Sequence, residues 1–384
     1  MSVVLLILGI LLFIGLVVIH EFGHFLAARR NGVDVEEFGI GFPPQAWARK
    51  TKAGFLFSIN WLPIGGFVRL KGENDAATSP GSFGAASLKT KTKIMLAGVG
   101  MNLLAAFVIF TFLALVGMPQ LLQNQFDISS NTKVTHNDVL VGSVESDSPA
   151  SKADFKVRDQ LISIQGPKTV YYNANGSNAI FVNYGPVQQI TSAEQLPQLT
   201  KKYAGEPVRI TYKRDGRTSE ATVTLRTTAQ AKNGAYLGIA PAEFTLTRST
   251  WSAPVQALGL MGQFTEATFK GLGTAISALF HGNTAVASQQ VSGPVGIVVV
   301  LHDGSLLGYQ FVLLIVGLIS LSLAIMNVLP IPALDGGRFY VLLLSRVFGK
   351  KLSKDMEERI VGASFVFLLL LVVLITIADV KRYF

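Results

Sequence analysis

The chain has 384 residues, 49% of them hydrophobic, with a positive mean hydropathy, enough for a membrane domain plus one soluble domain of about 100 residues. Having no cysteine, it excludes a Cys nucleophile, a Cys-ligated zinc site and a disulfide-stapled domain. Its net charge of +9 does not mark nucleic-acid binding, because Lys and Arg cluster between Arg29 and Lys93 and again from Arg346 to Arg359, beside apolar stretches, as in cytoplasmic loops facing anionic lipid.

Taken in order, the chain opens MSVVLLILGILLFIGLVVI, with no Lys or Arg ahead of the apolar run and no small-residue cleavage site. That predicts a retained transmembrane helix rather than a signal peptide. Four spans are predicted, at 3–27, 94–117, 310–334 and 361–378, each near the ~20 residues a bilayer needs. Placing the basic loops in the cytoplasm puts both termini outside, and leaves Lys381 and Arg382 on the unfavoured side, outvoted by the internal loops.

The first span carries His20-Glu21-Phe22-Gly23-His24. On a helix, positions four apart share a face, so His20 and His24 can offer two imidazole nitrogens to one metal ion, with Glu21 beside them as a general base. A chance HExxH is common, but Val3 to Ile19 holds no charge. Ionisable groups that follow at membrane depth cost a few kcal/mol each unless paired, hydrated or metal-bound, and so point to function.

Between the first two spans, 38–70 alternates apolar residues with Gly and polar ones, and Phe55 to Trp61 and Phe67 to Leu70 read as strands. Two readings stand: an ordinary cytoplasmic hairpin, or a sheet dipping into the membrane face whose edge pairs with an extended substrate. In the second, Gly65, Gly66 and Phe67 are the candidate substrate contacts. The second span opens with Gly98 and Asn102 on one face, a small residue and a hydrogen-bonding one suited to packing against the metal-site helix.

Residues 126–230 read as one soluble domain of strands and short helices, with a hairpin turning at Arg214-Asp215-Gly216 and a loop or insertion over 168–189. The stretch 254–281 is apolar but interrupted by Gln256, Gln263, Glu266 and Lys270, which predicts an amphipathic surface helix rather than a fifth span. The membrane halves are then 1–117 and 310–384.

The third span ends Asn327-Val328-Leu329-Pro330-Ile331-Pro332-Ala333-Leu334-Asp335-Gly336-Gly337-Arg338, where two prolines and two glycines break the helix as it meets the cytoplasmic side and free backbone groups that must line a cavity or contact protein. Counted along their spans, Asp335 and His20 fall at a similar depth toward the inner face. A catalytic zinc takes three protein ligands and keeps one position open, and His20, His24 and Asp335 make such a set. A nitrogen-rich tetrahedral site favours Zn2+ over other divalent ions. Asn327, read as a little over two helical turns before Asp335, is placed to hydrogen-bond an unwound substrate backbone.

HEFGH, PIGGFVRL at 63–70, AGVGMN at 97–102, SGPVGI at 292–297 and NVLPIPALDGGR at 327–338 together resemble the site-2 protease family of intramembrane zinc metalloproteases, most closely the bacterial regulator-of-sigma-E protease group. The resemblance implies His20, His24 and Asp335 as zinc ligands, Glu21 as the catalytic carboxylate, Asn327 as a substrate contact and 126–230 as a PDZ domain outside the cytoplasm. It also implies a bacterial inner-membrane location. Its partners would be single-span membrane substrates of the anti-sigma factor type or signal-peptide remnants, an upstream site-1 type protease, and the lipid bilayer. The family's usual small-Gly-hydrophobic helix pattern stands here as Ala153-Asp154-Phe155. The fold class is thus an α-helical membrane protein with about four transmembrane helices, a membrane-associated β-sheet and one inserted α/β PDZ-like domain. The alternative function is a non-catalytic PDZ-bearing membrane scaffold.

Overall fold

The structure is a computed structural model that describes residues 2–73, 79–122, 124–172, 179–214, 216–231, 234–349 and 354–384. The chain divides into two compact units: one of Met1–Met118, Asn124–Asn131 and Ser249–Phe384, the other of Pro119–Gln123 and Thr132–Arg248.

The first unit begins with α1 (Ser2–Arg30), apolar around its whole circumference until the HExxH turn. A hairpin follows, β1 (Val35–Lys50) and β2 (Leu56–Leu70). Its register is folded back on itself: Phe38 pairs with both Phe57 and Val68, and Ile40 with both Ile59 and Gly66, while Gln45–Lys50 pair with the 56–60 arm. The hairpin therefore makes four short strands, and β2 runs through the residues between the two strands read from sequence. Gly65, at φ +92, takes a backbone conformation that side chains avoid. Segment 66–70 forms one border, with no further strand partner among the described residues. α2 (Leu88–Val116) starts at Ser87, whose hydroxyl accepts the N–H of Thr90.

The second unit is a sheet with two short helices packed on it. Its elements are β3 (Met118–Pro119), β4 (Lys133–Val144), α3 (Pro149–Lys152), β5 (Gln160–Gln165), β6 (Pro167–Tyr172), β7 (Ala179–Tyr184), β8 (Gln188–Gln189), α4 (Gln195–Lys202), β9 (Pro207–Arg214), β10 (Arg217–Thr224) and β11 (Ile239–Arg248). The sheet order is β10-β9-β5-β4-β11-β3, with β8 on β5, around a core that includes Val139, Leu161, Ile164, Leu196, Val208 and Ile210. β11 returns to pair antiparallel with β4, so the unit runs well past residue 230. Part of the 168–189 stretch forms the β6–β7 hairpin, and Asp215 of the expected turn lies outside the described residues. Asp154 stands at φ +59, the left-handed region glycine prefers and Asp tolerates.

The first unit resumes with α5 (Ala253–Phe280), α6 (Thr284–Gln289), α7 (Pro294–Leu307), α8 (Tyr309–Val328), α9 (Asp335–Val347) and α10 (Lys354–Tyr383). Among the described residues, Val3–Arg30, Leu88–Val116, Tyr309–Val328 and Glu358–Tyr383 are the four helices long and apolar enough to cross a membrane. α5 is not among them. It buries a stripe of Ala253, Gln256, Ala257, Leu260 and Phe264, with Phe264 against Phe110 of α2, and keeps the Glu266–Lys270 pair exposed.

One expectation is corrected here. The two prolines and two glycines break the helix as the sequence predicts, but the span ends short of residue 334 and Asn327 does not stand two helical turns before Asp335. The helix instead stops at Val328, residues 329–334 are irregular, and Asp335 opens a new helix. Pro330 and Pro332 cannot donate the backbone bonds that would continue α8. The tight return is made possible by glycine: a side chain on Gly336 would meet the Asn327 and Val328 carbonyls, and one on Gly337 would overlap the Ile331 carbonyl.

Candidate metal centre

His20 and His24 lie one turn apart on α1, and the break at 329–334 delivers Asp335 to the same point. His20 Nε2 is 2.9 Å and His24 Nε2 3.1 Å from Asp335 Oδ2, and the two Nε2 atoms are 3.1 Å apart. These three ligand atoms lie within 4.8 Å of one another. Four ligands at about 2.0–2.1 Å from a tetrahedral zinc sit roughly 3.3 Å apart, so the spacing fits the ion.

The hydrogen-bond chemistry fits it too. His24 Nδ1 is 2.7 Å from the carbonyl oxygen of Ile94 on α2, which can only accept, so Nδ1 carries the proton. In the neutral ring, Nε2 then turns a lone pair toward the Asp335 carboxylate, one acceptor against another, and a metal ion placed between them satisfies both.

α2 supplies the wall behind the imidazoles. A Cβ built on Gly98 would stand 2.5 Å from His24 Nε2 and 2.6 Å from His20 Nε2, so only glycine lets the ligand atoms reach this position. Gly23 of α1 does the converse, since a Cβ there would meet the Ala97 carbonyl at 2.5 Å. Asn102 is buried, with Nδ2 3.3 Å from His20 Nδ1. Glu21 borders a cavity of about 150 Å3 together with His24, Asp335 and Phe67, and the Glu73–Arg338 ion pair (2.7 Å) stands at its edge. The 66–70 border of the hairpin reaches the same place, with a Cβ on Gly66 falling 3.4 Å from Glu21 Cγ.

The structure thus brings together His20, Glu21, His24, Asp335, Gly66, Phe67, Gly98 and Asn102. Gly65 lies just outside, against Phe42. Asn327 is not directed at the ligands: its Nδ2 donates to Leu323 O at 3.0 Å within its own helix. Sequence reasoning missed the Ile94 carbonyl, which as a backbone group leaves no sequence signal. It also missed the Glu73–Arg338 pair, whose signal was Arg338 in the motif that holds Asp335.

A model of peptidase family M50 matches residues 8–371. The chain belongs to peptidase family M50, the site-2 proteases. Over 382 residues it is 31% identical to a protein of Clostridium acetobutylicum whose name places it among zinc metalloproteases, covering 99% of this chain and 98% of that one. A similarly named protein of Fusobacterium nucleatum is 28% identical across 98% of this chain and 97% of its own. Zinc metalloprotease RasP of Geobacillus kaustophilus is 23% identical, at 98% and 97% coverage. The protein is therefore a zinc metalloprotease with membrane-spanning helices, and the scaffold reading is set aside.

Proposed function

We propose that this M50 protease is an intramembrane endopeptidase of regulated intramembrane proteolysis. Its substrates would be transmembrane segments of single-span regulatory proteins of the anti-sigma factor type, or signal-peptide remnants, after a site-1 type protease has trimmed them outside. The observation that carries this is the convergence of His20 Nε2, His24 Nε2 and Asp335 Oδ2 on a helix apolar enough to span a bilayer. In this reading those three atoms hold zinc, in the inner membrane of a bacterium, and the Thr132–Arg248 unit is a PDZ-like domain on the periplasmic or extracellular side.

A bound zinc supplies Lewis-acid activation of water and polarisation of the scissile carbonyl. The rest is the work of the chain. Glu21, at the cavity, takes a proton from the attacking water and returns it to the leaving amine. A helical peptide bond is shielded by its own hydrogen bonds, so the substrate must be extended before it is cut. The free border at 66–70, with Gly65, Gly66 and Phe67, offers a strand partner that favours the extended form, beside Glu21. Asn327 gives up its bond to Leu323 and takes the substrate backbone.

The test is cleavage of a single-span substrate with a shortened ectodomain, by purified wild type and Glu21→Gln, with zinc quantified in both. The reading requires that wild type cut within the span and that Glu21→Gln hold about one zinc per chain without cutting. Equal processing by both, or no zinc in either, would overturn it.

A further inference from the structure

Asn102 shows an imbalance that the packing role read from sequence does not explain. Its side chain is 1% exposed, and its Oδ1 is one of two buried side-chain polar atoms without a hydrogen-bond partner among the described residues. Its Nδ2, by contrast, faces His20 Nδ1 at 3.3 Å. An unpaired buried amide oxygen is unfavourable, which directs attention to what each end of the amide meets.

A neutral imidazole carries one proton. In the structure His20 Nε2 faces Asp335 Oδ2 at 2.9 Å; with the proton on Nε2, Nδ1 is an acceptor and the Asn102 NH2 group is its proper donor. Presenting an Nε2 lone pair to a metal requires the other tautomer, with the proton on Nδ1. Two donors would then face each other. A half-turn of the amide puts Oδ1 where Nδ2 was, so that it accepts the Nδ1 proton, while the NH2 group takes the place that Oδ1 had. A carboxylate could only accept, and an aliphatic side chain could do neither.

Resting on the metal-centre reading above, the geometry points to Asn102 as a positioning residue for His20, whose amide turns over when zinc binds and holds the ring in its metal-ligating tautomer. His24 has a fixed acceptor for this purpose, the Ile94 carbonyl; His20 has a reversible one. Outer partners of metal-bound histidines typically contribute 10–100-fold to affinity.

The experiment is zinc affinity by chelator competition on the full-length protein in detergent, for wild type, Glu21→Gln, Asn102→Asp, Asn102→Ala and Asn102→Leu, with the thermal midpoint of each metal-free form. Asn102→Ala and Asn102→Leu are expected to bind zinc about 10–100-fold more weakly, while Asn102→Asp, an acceptor of the same shape, stays within roughly threefold of wild type or binds more tightly. If Asn102→Leu binds zinc like wild type, or Asn102→Asp loses it as Asn102→Leu does while the metal-free midpoints agree, the assignment is overturned and the metal centre stands. If wild type and Glu21→Gln also bind no zinc, the metal centre falls, and the assignment with it.

Discussion

The carboxylate of Asp379 in α10 accepts the backbone N–H of Gly293 at 2.9 Å, and the N–H of Gly296 reaches the same oxygen at 2.8 Å. Asp379 is 2% exposed and closes the N-terminus of α7, where unpaired N–H groups and the helix dipole favour an anion. Both glycines are needed for the approach, since a Cβ on either would come within about 3.0 Å of Asp379 Oδ2. The SGPVGI run thus has a physical reason in this chain. Because α10 is otherwise the most exposed of the four spanning helices, this contact is a main anchor for it. Asp379→Ala should lower stability by about 1–3 kcal/mol through the stranded N–H groups, read as a fall in the thermal midpoint in detergent, with Asp379→Asn in between.

Gly98 is the tightest point of the metal centre. Gly98→Ala places a methyl where both imidazole Nε2 atoms stand, with the ligand helix held close behind. The expected outcome is at least tenfold weaker zinc binding and a corresponding loss of cleavage. Gly100→Ala, at a position with nothing within 4 Å of an added Cβ, should leave both unchanged. Equal zinc content in the two variants would show that α1 can move away from α2.

Much of the site was legible because its chemistry sits in side chains at short, fixed spacings. His20 and His24 are four apart, and the four apolar runs stand out by length. What stayed hidden depends on distance in sequence or on backbone. β11 pairs with β4 across almost a hundred residues, and nothing local to 239–248 announces that. The break at Pro330 and Pro332 was legible, but the stop of α8 already at Val328 was not, because the apolar run continues past it and hydropathy alone extends the span. The partner for His20 was visible as Asn102, but its two-way use follows only from counting donors and acceptors.

Asn327 sits near the ligands in sequence but bonds to its own helix. Asn327→Ala should therefore reduce cleavage, by about tenfold if it holds the substrate backbone through one hydrogen bond of 1.4 kcal/mol, while zinc content stays at the wild-type level. Loss of zinc in this variant would instead mean that Asn327 supports the 329–334 turn that carries Asp335.

In the second unit, Arg214 grips Asp159 with Nε and Nη2, both at 2.7 Å, and Asp159 is 1% exposed. The pairing raises the Arg214 pKa further above its ordinary value, chiefly through the Asp159 hydrogen bonds. Arg214→Ala would leave a buried carboxylate with the Lys156 backbone N–H as its remaining partner among the described residues. Breaking such a pair costs about 3–5 kcal/mol when fully buried, and nearer the lower end here because the arginine is partly exposed. Limited proteolysis of the full chain should show faster cutting within 132–248, with the membrane helices intact.

The absence of cysteine makes the orientation directly measurable, since any single introduced thiol is the only one present. Lys52, in the loop between β1 and β2, and Lys201, on α4, are both exposed. If the basic loops lie in the cytoplasm, as the positive-inside rule requires, Lys201→Cys in spheroplasts should react with a membrane-impermeant maleimide, and Lys52→Cys only after permeabilisation. The reverse pattern would place the Thr132–Arg248 unit in the cytoplasm, and with it the side from which a trimmed substrate must arrive. Labelling of both from outside would mean that the 56–70 arm and its border are reached from the outer surface, contrary to a site that opens toward the inner face.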